Sequence, residues 1–98
     1  MNVTFELQGQ VFEWDAKKAS ANLRKHLVSF EKACEVFFDP FVQVVDASPE
    51  DEARDAAIGW TEDQNLFFVV YVERHGDIIR IISARPATSA ERRTYENE

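Results

Sequence analysis

The run LFFVVYV, Leu66 to Val72, is apolar at every position. A strand of that kind fits the middle of a sheet, covered on both faces, better than a position with one wet side. Helices must then lie over at least one face, and the rest of the sequence is read for elements that do so. With 98 residues, 45% of them hydrophobic, the chain supports one core and a single domain over residues 1–98.

Val3 to Leu7 and Val11 to Trp14 are short β-prone runs around Gln8-Gly9-Gln10, the pattern of a hairpin. Asp15 then caps a helix over Ala16 to Lys25, with Ala16, Ala19 and Leu23 as its inward stripe and Lys18, Asn22 and Lys25 on an exposed face. Ser29 caps a second helix, in which Phe30, Ala33, Cys34, Phe37 and Phe38 follow the spacing of an apolar stripe until Asp39-Pro40 stops it. Strands are expected over Phe41 to Val45 and Arg54 to Trp60, with an acidic loop between them. The Leu66 run follows, then a turn at His75-Gly76-Asp77, then a strand over Ile78 to Ala84. Thr88-Ser89-Ala90-Glu91 is a capping box opening a last helix through Tyr95. The order β-β-α-α-β-β-β-β-α implies an α+β domain, a mostly antiparallel sheet packed against two N-terminal helices, with a C-terminal helix.

Charge and cysteine usage bound the surroundings. Lone Cys34, set beside Ala33 and Phe37, reads as a buried thiol in a reducing compartment. No apolar stretch is long enough to span a bilayer and the N-terminus lacks a signal core, so a cytoplasmic location without membrane contact is expected. A net charge of −7 argues against a non-specific nucleic-acid coat, yet Lys17, Lys18, Arg24 and Lys25 gather on the first helix without an acid among them. Neither metal-ligand spacing nor a glycine-rich phosphate loop is present, so any catalysis is expected without metal or cofactor.

Arg80 is the residue that resists a purely structural account. Regular alternation places Ile78, Arg80, Ile82 and Ala84 on one face of a strand, and Ile79, Ile81, Ser83 and Arg85 on the other. An unpartnered guanidinium among isoleucines costs several kcal/mol, so Arg80 either pairs with Asp55, Glu73 or Glu13 or faces an anion. Arg85 closes its strand just before Pro86, which is expected to bar the ladder from continuing, and Arg54 opens an earlier strand; both read as solvated side chains or as members of an arginine group that grips phosphate. His26, beside Lys25, is either a helix-end residue favoured by the dipole or a proton shuttle.

The blocks FEWDAKKASANLRKHLVSFEKACEVFFDP, RDAAIGW, LFFVVYVER and RIISARPATSAERRTYE, in that order from Phe12 to Glu96, resemble the BrnT family of bacterial toxins. The matching positions are Trp14-Asp15, Asn22, Lys25-His26, Ser29-Phe30-Glu31, Phe38-Asp39-Pro40, Arg54, Arg80 to Arg85, Glu91-Arg92 and Tyr95. Leu27 stands where the family has Gly, and Ala53 where a Glu commonly precedes the Arg. The resemblance implies a RelE-like ribonuclease fold, RNA cleavage that stops translation, and neutralisation by a cognate antitoxin with a DNA-binding domain. It further implies a hetero-oligomer with that antitoxin, DNA contact only through it, and repression of the shared operon.

Metal-free RNA cleavage requires a base for the 2′-hydroxyl proton, cations for the phosphorane and an acid for the leaving 5′-oxygen. Arg54, Arg80 and Arg85 are the expected phosphate contacts, with His26 or Lys25 moving protons and Glu91 or Tyr95 assisting. The rival expectation is a non-catalytic protein-binding module, or a co-repressor acting only in complex with its partner.

Overall fold

The computed structural model describes residues 1–49 and 53–97, so Glu50, Asp51 and Glu52 of the expected acidic loop lie outside the described residues. Strands β1 (Asn2–Leu7) and β2 (Gln10–Asp15) form an antiparallel hairpin. Its turn places Gln8 and Gly9 at φ 52° and 84°, the positive pair that matches the twist of a tight hairpin. Helix α1 (Ala16–His26) starts where the Asp15 carboxylate accepts the Lys18 N–H at 3.0 Å, as the sequence predicts. Strands β3 (Gln43–Asp46), β4 (Asp55–Trp60), β5 (Leu66–Arg74) and β6 (Ile78–Pro86) follow. The chain then enters α3 (Ser89–Glu96), which opens with the expected capping box between Thr88 and Glu91.

The six strands of the described residues form one sheet in the order β1-β2-β6-β5-β4-β3. Every pair is antiparallel except β2 with β6, so the sheet is mixed and β5 lies inside it, as its apolar run requires. On one face, Phe12, Trp14, Ala57, Val69, Tyr71, Ile81 and Ala84 pack against Phe30, Ala33, Cys34 and Val36. Trp14 meets Phe30 edge-on at 5.7 Å and Phe37 meets Tyr71 at 5.0 Å, contacts each worth about 1 kcal/mol beyond their burial. Gly59 lets the segment approach so closely, since a Cβ there would sit 2.8 Å from the Val36 carbonyl oxygen.

Three expectations need correction. The helices follow the first hairpin in the expected order, but the second is only a four-residue turn, α2 (Phe30–Ala33), running into a 3-10 segment over Cys34–Phe38. Its apolar stripe survives because the tighter winding still turns those side chains onto the sheet. On α1 Ala19 packs against the core as expected, but Asn22, expected on the exposed face, is buried, whereas Leu23 is half exposed. Pro86 does not end the ladder either: it pairs with Phe67, and the Ala87 N–H beyond it donates to the Leu66 carbonyl at 2.9 Å.

Candidate functional site

The site is built on an irregularity in β6. Ile81 pairs with Tyr71 and Ser83 with Val70, so Ile82 has no opposite number and bulges out of the ladder. Beyond the bulge every side chain changes face. Ala84 therefore joins Ile79 and Ile81 on the core side, correcting the expected alternation, and Arg85 comes round to the face that Arg80 occupies. Their partners on β5, Val72 and Phe68, are four residues apart, so the two arginines stand ~13 Å apart along one face.

Arg80 pairs in register with Glu13 of the parallel strand, and its Nη1 donates to Glu13 Oε2 at 3.0 Å and to Asn2 Oδ1 at 2.7 Å. Of the carboxylates the sequence offered, Glu13 is the one that holds it. Both bonds fall on Nη1, and among the described residues Nη2 and Nε make none. Arg54 immediately precedes β4, and its carbonyl accepts the Ala47 N–H at 3.0 Å, so strand pairing continues through it. Alternation from Ala56 puts Arg54 on the same face as Arg80, with β5 between them.

At the end of β6 the Arg85 guanidinium meets Glu91 of α3 through two parallel bonds, Nη1 to Oε1 and Nη2 to Oε2, each 2.8 Å. It also stacks 4.4 Å from the centre of the Phe68 ring. Burial works to raise the Glu91 pKa, but the bonds from Arg85 and from the Thr88 N–H outweigh it and hold the carboxyl below its ordinary range. Glu91 is thus an ionised clamp on Arg85, and the clamp raises the Arg85 pKa in turn.

Lys25 and His26 end α1 beside β6. They share a cleft of about 230 Å³ with Lys18, Asn22, Ile82 and Ser83, between the positions of Arg80 and Arg85. Asn22 fixes this arrangement. Its Nδ2 donates to the carbonyls of Ala84 at 2.8 Å and Val28 at 3.0 Å, while its Oδ1 accepts the Ala84 N–H at 3.1 Å. One buried amide thus closes the edge of β6 past the short β2 pairing and docks α1 there.

Tyr95 stands apart from this group. Its hydroxyl donates to Asp39 Oδ2 at 2.6 Å, the atom that also accepts the Trp60 N–H at 2.9 Å. Burial, then the bond to Asp39, pushes the Tyr95 pKa up to about 12. Arg92, on the same helix, lies 5.1 Å from the Trp60 ring centre, so both side chains serve to fasten α3 at the end of β4. The structure therefore gathers Arg54, Arg80 and Arg85 on one face, adds Glu91 behind Arg85, and brings Lys25 and His26 alongside. Asn22 and Asp39 are organising residues whose roles sequence reasoning did not assign. The spacing Ala19-Asn22-His26, one helix face, was the available signal for the first.

Against known proteins, the family profile described as "Ribonuclease toxin, BrnT, of type II toxin-antitoxin system" matches residues 14–91. The crystal structure of the Brucella abortus ribonuclease toxin BrnT, solved at 1.1 Å, superposes with a TM-score of 0.63 at 26% identity, covering 78% of this chain and 94% of that one. No curated protein sequence matches. The profile spans the α1 cleft, all of β6 and the Glu91 clamp, and on that match this chain belongs to the BrnT family of ribonuclease toxins of type II toxin–antitoxin systems.

Proposed function

We propose that the chain is a metal-independent endoribonuclease, acting in the cytoplasm, that cleaves RNA and stops translation, and that a DNA-binding antitoxin neutralises it. The observation that carries this reading is the bulge at Ile82, which turns Arg80 and Arg85 onto one face beside a cleft holding Lys25 and His26. Guanidinium groups suit the work, because their planar forks match phosphate oxygens and hold charge that builds on the phosphorane.

In this mechanism the ribose 2′-oxygen attacks phosphorus while its proton passes to His26 or Lys25. Arg80, Arg85 and Arg54 hold the non-bridging oxygens of the pentacoordinate intermediate. The bond to the 5′-oxygen then breaks, that oxygen takes a proton from the other member of the His26–Lys25 pair, and the products are a 2′,3′-cyclic phosphate and a 5′-hydroxyl. Glu91 acts through Arg85 as a positioning residue. Tyr95 is assigned to fastening α3, since its proton is committed to Asp39. Substituting Arg85 by Ala, with a cooperative melt retained, is expected to abolish cleavage of a defined RNA in EDTA; undiminished cleavage contradicts the assignment.

The second reading is a non-catalytic binding module, and the pairing of Arg80 with Glu13 and of Arg85 with Glu91 favours it. It predicts that antitoxin binding persists while no RNA is cut, with or without translating ribosomes.

A further inference from the structure

The sheet ends on one side in β1 and on the other in β3, and the two edges are unlike. On β1 the apolar side chains Val3, Phe5 and Leu7 pack inward and the exposed ones are Asn2, Thr4 and Glu6. On β3 the exposed side chain is Val44, at 56%, and Phe41, which leads into the strand, is 72% exposed. The Ala47 N–H bonds the Arg54 carbonyl, so alternation along the antiparallel ladder turns the backbone groups of Gln43 and Val45 toward β4 and those of Val44 and Asp46 outward. An apolar strand edge that no described residue covers is what proteins otherwise blunt with lysine, proline or a bulge.

The charge on this edge says what covers it. Asp46 and Asp55 face each other directly in the register, at a non-hydrogen-bonded position where paired side chains stand closest. The Ser48 hydroxyl and N–H keep Asp46 below the ordinary carboxylate range, so it is ionised at neutral pH. Among the described residues no cation pairs with either aspartate. A second copy of this chain would bring the same acidic edge against itself, which disfavours self-pairing relative to a basic partner.

We propose that the antitoxin docks here, adding an extended segment with alternating apolar and basic side chains to β3 as a seventh strand. Its main-chain groups pair with those of Val44 and Asp46, its apolar side chains cover Val44 and Phe41, and a lysine or arginine settles between Asp46 and Asp55. The site is separate from the arginine face and does not depend on ribonuclease chemistry, so the failure of either proposal leaves the other standing.

The test uses the full chain and a short capped peptide of alternating valine and lysine, with a valine–glutamate counterpart, followed by amide chemical shifts. The expected result is saturable binding of the lysine peptide only, with shifts at Val44, Val45 and Asp46. Val44→Pro, which removes only an outward N–H, and Asp46→Lys should each weaken that binding roughly tenfold or more while keeping a cooperative melt. Absence of binding, shifts centred on Arg80 and Arg85 instead, or binding indifferent to Val44→Pro would overturn the proposal. So would concentration-dependent self-association of the free chain that Val44→Pro abolishes.

Discussion

Arg80 and Arg85 point to the same face of the sheet only because Ile82, between them, is left out of the ladder. Five positions apart in a regular strand, they would face opposite sides. The bulge thus converts a strand with one arginine in the core and one outside into a strand with both outside, and it does so beside the last turn of α1.

Replacing Glu91 by Gln keeps the capping geometry and removes the charge on the Arg85 clamp. The expected cost is about 1 kcal/mol at neutral pH. Because the folded pKa of Glu91 is depressed, that stabilisation is present above the unfolded value and lost as pH falls through the folded one. Thermal melts of the wild type and the variant should therefore differ at pH 7 and converge under acid conditions; a gap that persists in acid contradicts the account.

Asn22→Ala strands a buried N–H and two carbonyls together, at Ala84 and Val28. A loss of order 3 kcal/mol in urea unfolding is expected, with early hydrogen exchange across α1. A change within a few tenths of a kcal/mol would show that water replaces the amide at no cost and that α1 is docked by other means.

Leu27 closes α1 at φ 60° and ψ 30°, with its side chain 86% exposed, so it bears the strain of a left-handed residue and gains little from burial. Leu27→Gly should stabilise the fold by about 0.5–1 kcal/mol, the relief of the Cβ clash less the extra freedom of glycine when unfolded. A lower urea midpoint for the variant would contradict this. The departure at this position is one of stability, since the backbone adopts the turn that Gly would favour.

Tyr95→Phe removes one bond to Asp39 and should cost about 1 kcal/mol while leaving RNA cleavage intact. With its folded pKa raised to about 12, the Tyr95 contribution is complete below the unfolded value of about 10 and disappears as pH climbs between the two. Stability measured over that alkaline window should fall more steeply for the wild type than for the variant. Cleavage lost with Tyr95→Phe would return this hydroxyl to the reacting group.

Local signals carried the elements well: the Asp15 and Thr88 caps, the Gln8-Gly9 turn and the Leu66 run all lie where side-chain chemistry placed them. What they could not carry is non-local. The parallel pairing that sets Glu13 beside Arg80 joins residues 67 apart in sequence, and three carboxylates were equally eligible until the sheet order chose one. The bulge at Ile82 leaves no mark in the run IIRIIS, because isoleucine suits either face. Asn22 was misplaced for a related reason: a polar residue on a helix reads as exposed unless one knows that a strand edge needs closing there. The arginines were legible as residue types, while the bulge that brings Arg80 and Arg85 to one face was not.

Cleavage of a defined RNA by the purified chain in excess EDTA, with and without translating ribosomes, comparing wild type with Arg80→Ala, decides whether the arginine face is a ribonuclease site. A 2′,3′-cyclic phosphate product is expected from the wild type and none from a variant that still melts cooperatively. Equal cleavage by both proteins, or by neither, would contradict the assignment of the arginine face as a ribonuclease site.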